Sequence, residues 1–194
     1  MTRLILASAS PQRKTLLEGL GVRFDVLPSA VDEKACKESD PLERARVLAA
    51  AKAGDVACRE EAWVIGCDTL VVSPKGALLE KPTDAAEAES MLRQQGGGTS
   101  LVHSGLALVS PDGDMYVETA TSEVRFRTLS DADVAWWIST GLWNGRSGSF
   151  QIDGPGQLLI ESICGDWTNI VGLPVFLLGQ LCQKADAPFL RTRL

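Results

Sequence analysis

Short apolar runs alternate with amphipathic stretches along the first half of the chain. "RLILA" at 3–7 reads as a buried strand, and 11–20 as a helix ended by Gly19 and Gly21. "RFDVLPS" (23–29) alternates like a second strand, and "VDEKACKESD" (31–40) is polar and loop-like. Pro41 at a helix start and an alanine-rich run make 41–59 a helix. "WVIGCDTLVV" (63–72) is a continuous apolar strand interrupted by a single acid. A turn and short return segment follow, and then a helix over 84–98 stopped by glycines.

Further on the pattern becomes strand-rich. Residues 100–129 hold three strands, with "SPDG" marking a turn. Ser130 as N-cap and acids in the first turn start a helix over 130–140. The glycine-punctuated stretch 148–166 is strand or hairpin, and "LPVFLLGQLCQK" (173–184) is the last helix. Helices and strands alternate early and strands cluster later, so the class is α/β leaning to α+β, with a mixed sheet. No repeat, low-complexity segment or linker interrupts the 194 residues, which fit one domain or two small lobes.

Composition narrows the partners more than the fold. With 45% hydrophobic residues, the chain can build a sizeable core. The net charge of −6 argues against passive binding to a nucleic-acid backbone, while leaving room for a small anion in a locally basic pocket. Cys36, Cys58, Cys67, Cys164 and Cys182 form no CxxC pair, so neither a disulfide framework nor a zinc site is expected and a reducing cytosol is the simplest setting. No apolar run reaches the roughly 20 residues of a membrane helix. A cytoplasmic protein without a membrane partner is the expectation.

Candidate chemistry starts at "ASASPQRKTLLEGLG" (7–21). Ser10 suits an N-cap and Pro11 the first helical position, so free N–H groups near residues 12 and 13 would make an anion site, with Arg13 forking two oxygens and Ser8 donating from the strand end. A capped helix with a solvated Arg13–Lys14 pair explains the same residues. Asp68 in the apolar strand must be paired, metal-bound or at an exposed end, and Thr69 adds a hydroxyl beside it. Glu33 reads as part of a solvated loop, yet two carboxylates from different segments also suit Mg²⁺ together with phosphate oxygens. Lys52 either reaches a crevice past small neighbours or faces solvent. Lys81, before a proline, either aims into a cleft or sits on a turn. No P-loop and no GxGxxG is present, His103 reads as a tolerated strand residue, and the Trp136–Trp137 pair as core and interface.

Taken in order, these pieces resemble the Maf nucleotide pyrophosphatases, also known as septum-formation inhibitors. The matching stretches are "LILASASPQRKTLLEGLG", "VDE", the helix with Lys52, "IGCDTLVV", "EKPTDAAEAESML", "VRFRTLSDADVAWWISTG", "GSFQIDGPG" and "GDWTNIVGLPV". The resemblance implies a single domain over residues 1–194, with a mixed, strongly twisted sheet, flanking helices and two lobes around a central cleft. It implies Mg²⁺- or Mn²⁺-dependent hydrolysis of a nucleoside triphosphate between its α and β phosphates, and a homodimer in many members. Carried over by motif, Ser8, Ser10, Arg13, Lys52 and Lys81 hold the triphosphate. Glu33 and Asp68 hold metal, and Asp68 is the proton acceptor. A nucleotide-binding regulator of cell division that does not turn over is the rival reading.

Three positions bear on the base. In the resemblance, the dTTP/UTP branch has two arginines after "SP", "DT" in the acidic strand and Gln before the later Gly. The N7-methyl-GTP branch has Trp, "DQ" and Glu. This chain has Gln12, Thr69 and Asp153. Thr69 sides with pyrimidines, "GSF" and the acid at 153 with guanine, and Gln12 with neither. A carboxylate can accept from two guanine donors, whereas Asp153 turned away would cap the "DGPG" turn.

Overall fold

The computed structural model describes residues 3–190. The chain divides into two compact units, one of residues 1–69, 104–120 and 172–194, the other of 70–103 and 121–171. Among the described residues the strands form a seven-stranded mixed sheet ordered β2-β1-β3-β5-β6-β7, with β4 on β3. The strands are β1 (Leu4–Leu6), β2 (Asp25–Val26), β3 (Trp63–Val72), β4 (Leu78–Leu79), β5 (Thr99–Val109), β6 (Met115–Phe126) and β7 (Ile160–Cys164). The helices are α1 (Pro11–Gly19), α2 (Pro41–Ala57), α3 (Ala85–Gln95), α4 (Asp131–Ser139), α5 (Trp167–Val171) and α6 (Val175–Lys184). None of the described helices is long and apolar enough to cross a membrane.

In the first unit β1 pairs in parallel with both β2 and β3. Side chains alternate along each strand, so odd and even positions build two separate cores. Leu4, Leu6, Ile65 and Cys67 pack with Leu17 of α1 and Leu178 and Leu181 of α6 on one face. Ile5, Ala7 and Val64 pack with Ala49, Ala53 and Val56 of α2 on the other. The helix α2 lies very close to its strands. A Cβ on Gly66 would stand 2.4 Å from the Ala49 carbonyl oxygen, and one on Gly105 2.1 Å from that of Ala45. Only hydrogen fits at these two points, and this contact fixes the depth at which α2 presents its side chains.

The second unit has its own core of Val71, Leu92, Val102, Phe126, Trp137, Phe150 and Leu159. Trp137 is fully buried, and its indole N–H donates to the Ser149 carbonyl at 2.7 Å. Ser130 caps α4 in a reciprocal box with Asp133, as the sequence predicts for its N-cap. Ser10 and Asp40 cap α1 and α2, each with proline at the helix start.

Four expectations change. The region 100–129 holds two long strands rather than three, because β6 continues unbroken through its half-exposed Thr and Glu residues, which suit a pleated surface. The strand expected at 23–29 shrinks to Asp25–Val26. In 148–166 the glycines and Pro155 bend the chain into 3₁₀ turns at Ser147–Ser149 and Pro155–Leu159, and only Ile160–Cys164 is strand. The five-residue helix α5 was not foreseen, being too short for a periodic signal.

Candidate active site

The connection β1-α1-β2 moves one way along the sheet and β2-α2-β3 returns past β1, so the strand order reverses between β1 and β3. In open parallel sheets, ligands bind at such a reversal, beyond the carboxyl ends of the strands. Here β1 stops at Leu6 while β3 runs on through Asp68 and Thr69. Ala7 makes the last backbone bond to Ile65, leaving this stretch of β3 without β1 alongside it. Asp68 and Thr69 are consecutive, so they point to opposite faces.

On the α2 face, the small residues around Lys52 let its stem run inward, and the ammonium is almost fully buried. Its Nζ donates to Asp68 Oδ1 at 2.6 Å and lies 2.8 Å from Glu33 Oε1. Glu33 opens a 3₁₀ turn capped by Asp32, which brings this half-exposed carboxylate to the buried lysine. Asp68 is only 4% exposed, and its Oδ2 has no hydrogen-bond partner. A buried carboxylate oxygen without a donor is costly unless something else supplies one.

On the α1 face, Arg13 turns inward while Lys14 stays in solvent, 3.7 Å from Glu18. Arg13 Nε donates to the Gly172 carbonyl at 2.8 Å, one terminal nitrogen to Ser8 Oγ at 2.9 Å, and the other to Thr69 Oγ1 at 3.3 Å. A guanidinium has five N–H donors, so two remain for oxygens of an anion. Ser8 Oγ accepts from Arg13 and from the Ser10 amide, which leaves the Ser8 hydroxyl proton available. Ser10 Oγ accepts from the Arg13 amide at 3.4 Å and donates to Gln12 Oε1 at 3.0 Å. That amide, expected to point at an anion, is thus taken by the cap. Cys67 lies on this face, and burial pushes its thiol up from the usual cysteine value, against the opposing pull of Arg13.

Two sequence-predicted residues belong to the second unit. Lys81 is exposed and follows Glu80, whose carbonyl accepts from the Gly148 amide. Asp153 lies 3.6 Å from an Arg146 nitrogen, a cation that sequence reasoning did not connect with it. Ser104 and Gly172 were also missed. Ser104 had one signal, a polar side chain in the inward row of β5 shared with Val102, Leu106 and Leu108.

The donor set suits a hard divalent cation in part. Mg²⁺ is often held by one or two carboxylates, the rest of its shell being water and substrate phosphate. Asp68 Oδ2 is an open oxygen of that kind, with Glu33 sharing the same lysine. No group of three or more His, Cys, Asp or Glu forms a cage among the described residues.

Comparison with known proteins bears on the whole length. The sequence pattern of Maf-like proteins matches residues 3–185. A dTTP/UTP pyrophosphatase of Pyrococcus furiosus is 41% identical over 94% of this chain and 95% of its own. One from Deinococcus radiodurans is 42% identical, covering 94% of this chain and 93% of the other. Among solved structures, the Staphylococcus aureus Ham1 protein aligns with a TM-score of 0.47 at 14% identity, over 64% of this chain and 72% of that one.

Proposed function

Given that the chain belongs to the Maf-like protein family, we propose that it is a hydrolase that cleaves a nucleoside triphosphate between the α and β phosphates, releasing nucleoside monophosphate and pyrophosphate. The observation that carries this reading is the unpartnered Oδ2 of buried Asp68, beside a lysine and next along β3 to Thr69, which accepts from the anchored Arg13 of α1. A triphosphate brings about four negative charges, part of which the spare N–H groups of Arg13 and the Ser8 hydroxyl are suited to meet.

Asp68 Oδ2 takes the proton of the attacking water. The water oxygen bonds to the α phosphorus, the bond from that phosphorus to the bridging oxygen breaks, and pyrophosphate leaves with the electron pair. Lys52 holds Oδ1, so the carboxylate cannot rotate its free oxygen away. A Mg²⁺ or Mn²⁺ ion held by Asp68 and Glu33 would acidify a bound water and offset phosphate charge. Ser10 acts as the cap that starts α1, and through it supports Arg13.

For the base, the relatives' printed activity favours dTTP and UTP. A cytoplasmic setting fits a chain whose five cysteines are unpaired. A homodimer, expected of many family members, is read by light scattering of the full chain.

The test is pyrophosphate release with Mg²⁺ or Mn²⁺ from UTP, dTTP, GTP and N7-methyl-GTP. Release from a pyrimidine triphosphate, lost in Asp68→Asn, is the expected result. A folded, metal-loaded protein that cleaves none of them ends the enzyme reading and leaves the binding regulator.

A further inference from the structure

Thr69 is the position at which the resemblance would look for recognition of the base. Its surroundings point elsewhere. A hydroxyl has one proton to donate and two lone pairs to accept with. Thr69 Oγ1 has three partners: Arg13 at 3.3 Å, which can only donate, the Gly172 carbonyl at 3.3 Å, which can only accept, and Ser104 Oγ at 2.8 Å. With Ser104 donating, all three positions on Thr69 are filled and every bond has a proper donor. Ser104 is fully buried, and Thr69 is its hydrogen-bond partner.

Gly172 completes the arrangement. Its carbonyl accepts from Arg13 Nε at 2.8 Å and faces the Cys67 thiol at 3.2 Å as well as Thr69. Its φ of +126° lies in the region that favours glycine. Arg13 is therefore held by a carbonyl at Nε and by a saturated hydroxyl at one terminal nitrogen, with Ser8 at the other.

We propose that Thr69, Ser104 and the Gly172 carbonyl form a socket that orients the Arg13 guanidinium toward phosphate, so that Thr69 and Ser104 are positioning residues for the polyphosphate and Thr69 does not read the base with its hydroxyl. The inference rests on the reading that this site takes a triphosphate. It departs from that reading by moving Thr69 from base choice to phosphate binding, and it adds Ser104, which no motif singled out.

The probe is inorganic tripolyphosphate, which has the phosphates and no base. Its binding to the full-length protein is measured by calorimetry alongside turnover of UTP, dTTP and GTP. Thr69→Val keeps the branched shape and removes only the hydroxyl. It is expected to weaken tripolyphosphate binding about tenfold, the scale of a disturbed hydrogen bond to a charged group. KM should rise equally for every triphosphate that is cleaved, with their ranking unchanged. Thr69→Ser should restore binding to within about twofold, since the hydroxyl returns. In an Arg13→Gln background Thr69→Val should have no further effect, which separates action through Arg13 from a general structural role. Ser104→Ala, checked for folding by circular dichroism, should reproduce part of the loss.

Unchanged tripolyphosphate binding in Thr69→Val, or a changed ranking of bases, overturns the socket. So does a wild-type protein that does not bind tripolyphosphate. If wild type binds the probe but cleaves no nucleotide, the enzyme reading fails while the socket is still decided by the same variants.

Discussion

Two aspartates, one in each compact unit, show how differently the same side chain can be used. Asp133 in the second unit accepts two bonds from Arg127, at 2.6 and 2.9 Å, and two from the Ser130 amide and hydroxyl. Both of its oxygens are engaged, and its carboxyl is held well below the ordinary aspartate range, first by Arg127 and then by Ser130. Asp68 in the first unit is far more buried, yet only Oδ1 is satisfied, by Lys52, and Oδ2 is left open. The saturated carboxylate fastens a helix start to a strand end. The buried one keeps an acceptor without a donor just beyond the end of β1.

The sharpest way to break this contrast is to neutralise the open oxygen. Asp68→Asn should lower pyrophosphate release by about a thousandfold, as expected for removal of a general base, while the far-ultraviolet circular dichroism stays that of wild type. Activity within about tenfold of wild type would mean that the open oxygen is not the base. The next largest effect is on stability. Lys52→Met removes the ammonium shared by Asp68 and Glu33 and leaves a buried carboxylate uncompensated, which should cost about 3–5 kcal/mol in urea unfolding. A loss below about 1 kcal/mol would show that Asp68 is better solvated than its burial implies.

A smaller effect is expected across the strand. Gly172→Ala places a Cβ 3.9 Å from its nearest neighbours, so space is not the obstacle. The cost is the positive φ, about 1–3 kcal/mol, and a shifted carbonyl under Arg13. The expected outcome is a lower unfolding midpoint together with a raised KM and little change in kcat. A midpoint that does not move would show that the backbone relaxes there freely.

Much of this arrangement is legible in the residues. "SPQR" announces a capped helix with a cation one turn in, and an acid inside "VIGCDTLVV" demands a partner. The alanines around Lys52 admit it to a crevice, but nothing local says that Asp68 and Glu33 wait there, because the three come from separate segments: α2, β3 and the 3₁₀ turn that Glu33 opens. Gly172 was hidden for a related reason. It lies 159 residues from the arginine it anchors, and a left-handed φ leaves no mark on the sequence beyond the glycine itself. The strand count in 100–129 differs for another reason, since threonine and glutamate sit well on a half-exposed strand and β6 runs on through them.

The smallest effect expected belongs to Asp133, and its value is as the saturated counterpart of Asp68. Because its folded pKa is depressed below the ordinary 3.8, the ionised form is the one that stabilises the fold. That contribution is complete above the ordinary value and is lost as pH falls below it toward the depressed folded value. Asp133→Asn should therefore be somewhat less stable than wild type at neutral pH, and should lose less on acidification from about pH 5 to about pH 2.5. Urea midpoints at these two pH values measure the difference, and equal losses in the two proteins would mean that the Arg127 pair is solvated and contributes nothing. Turnover at neutral pH should stay near wild type, because no oxygen of Asp133 is left over to take part in a reaction.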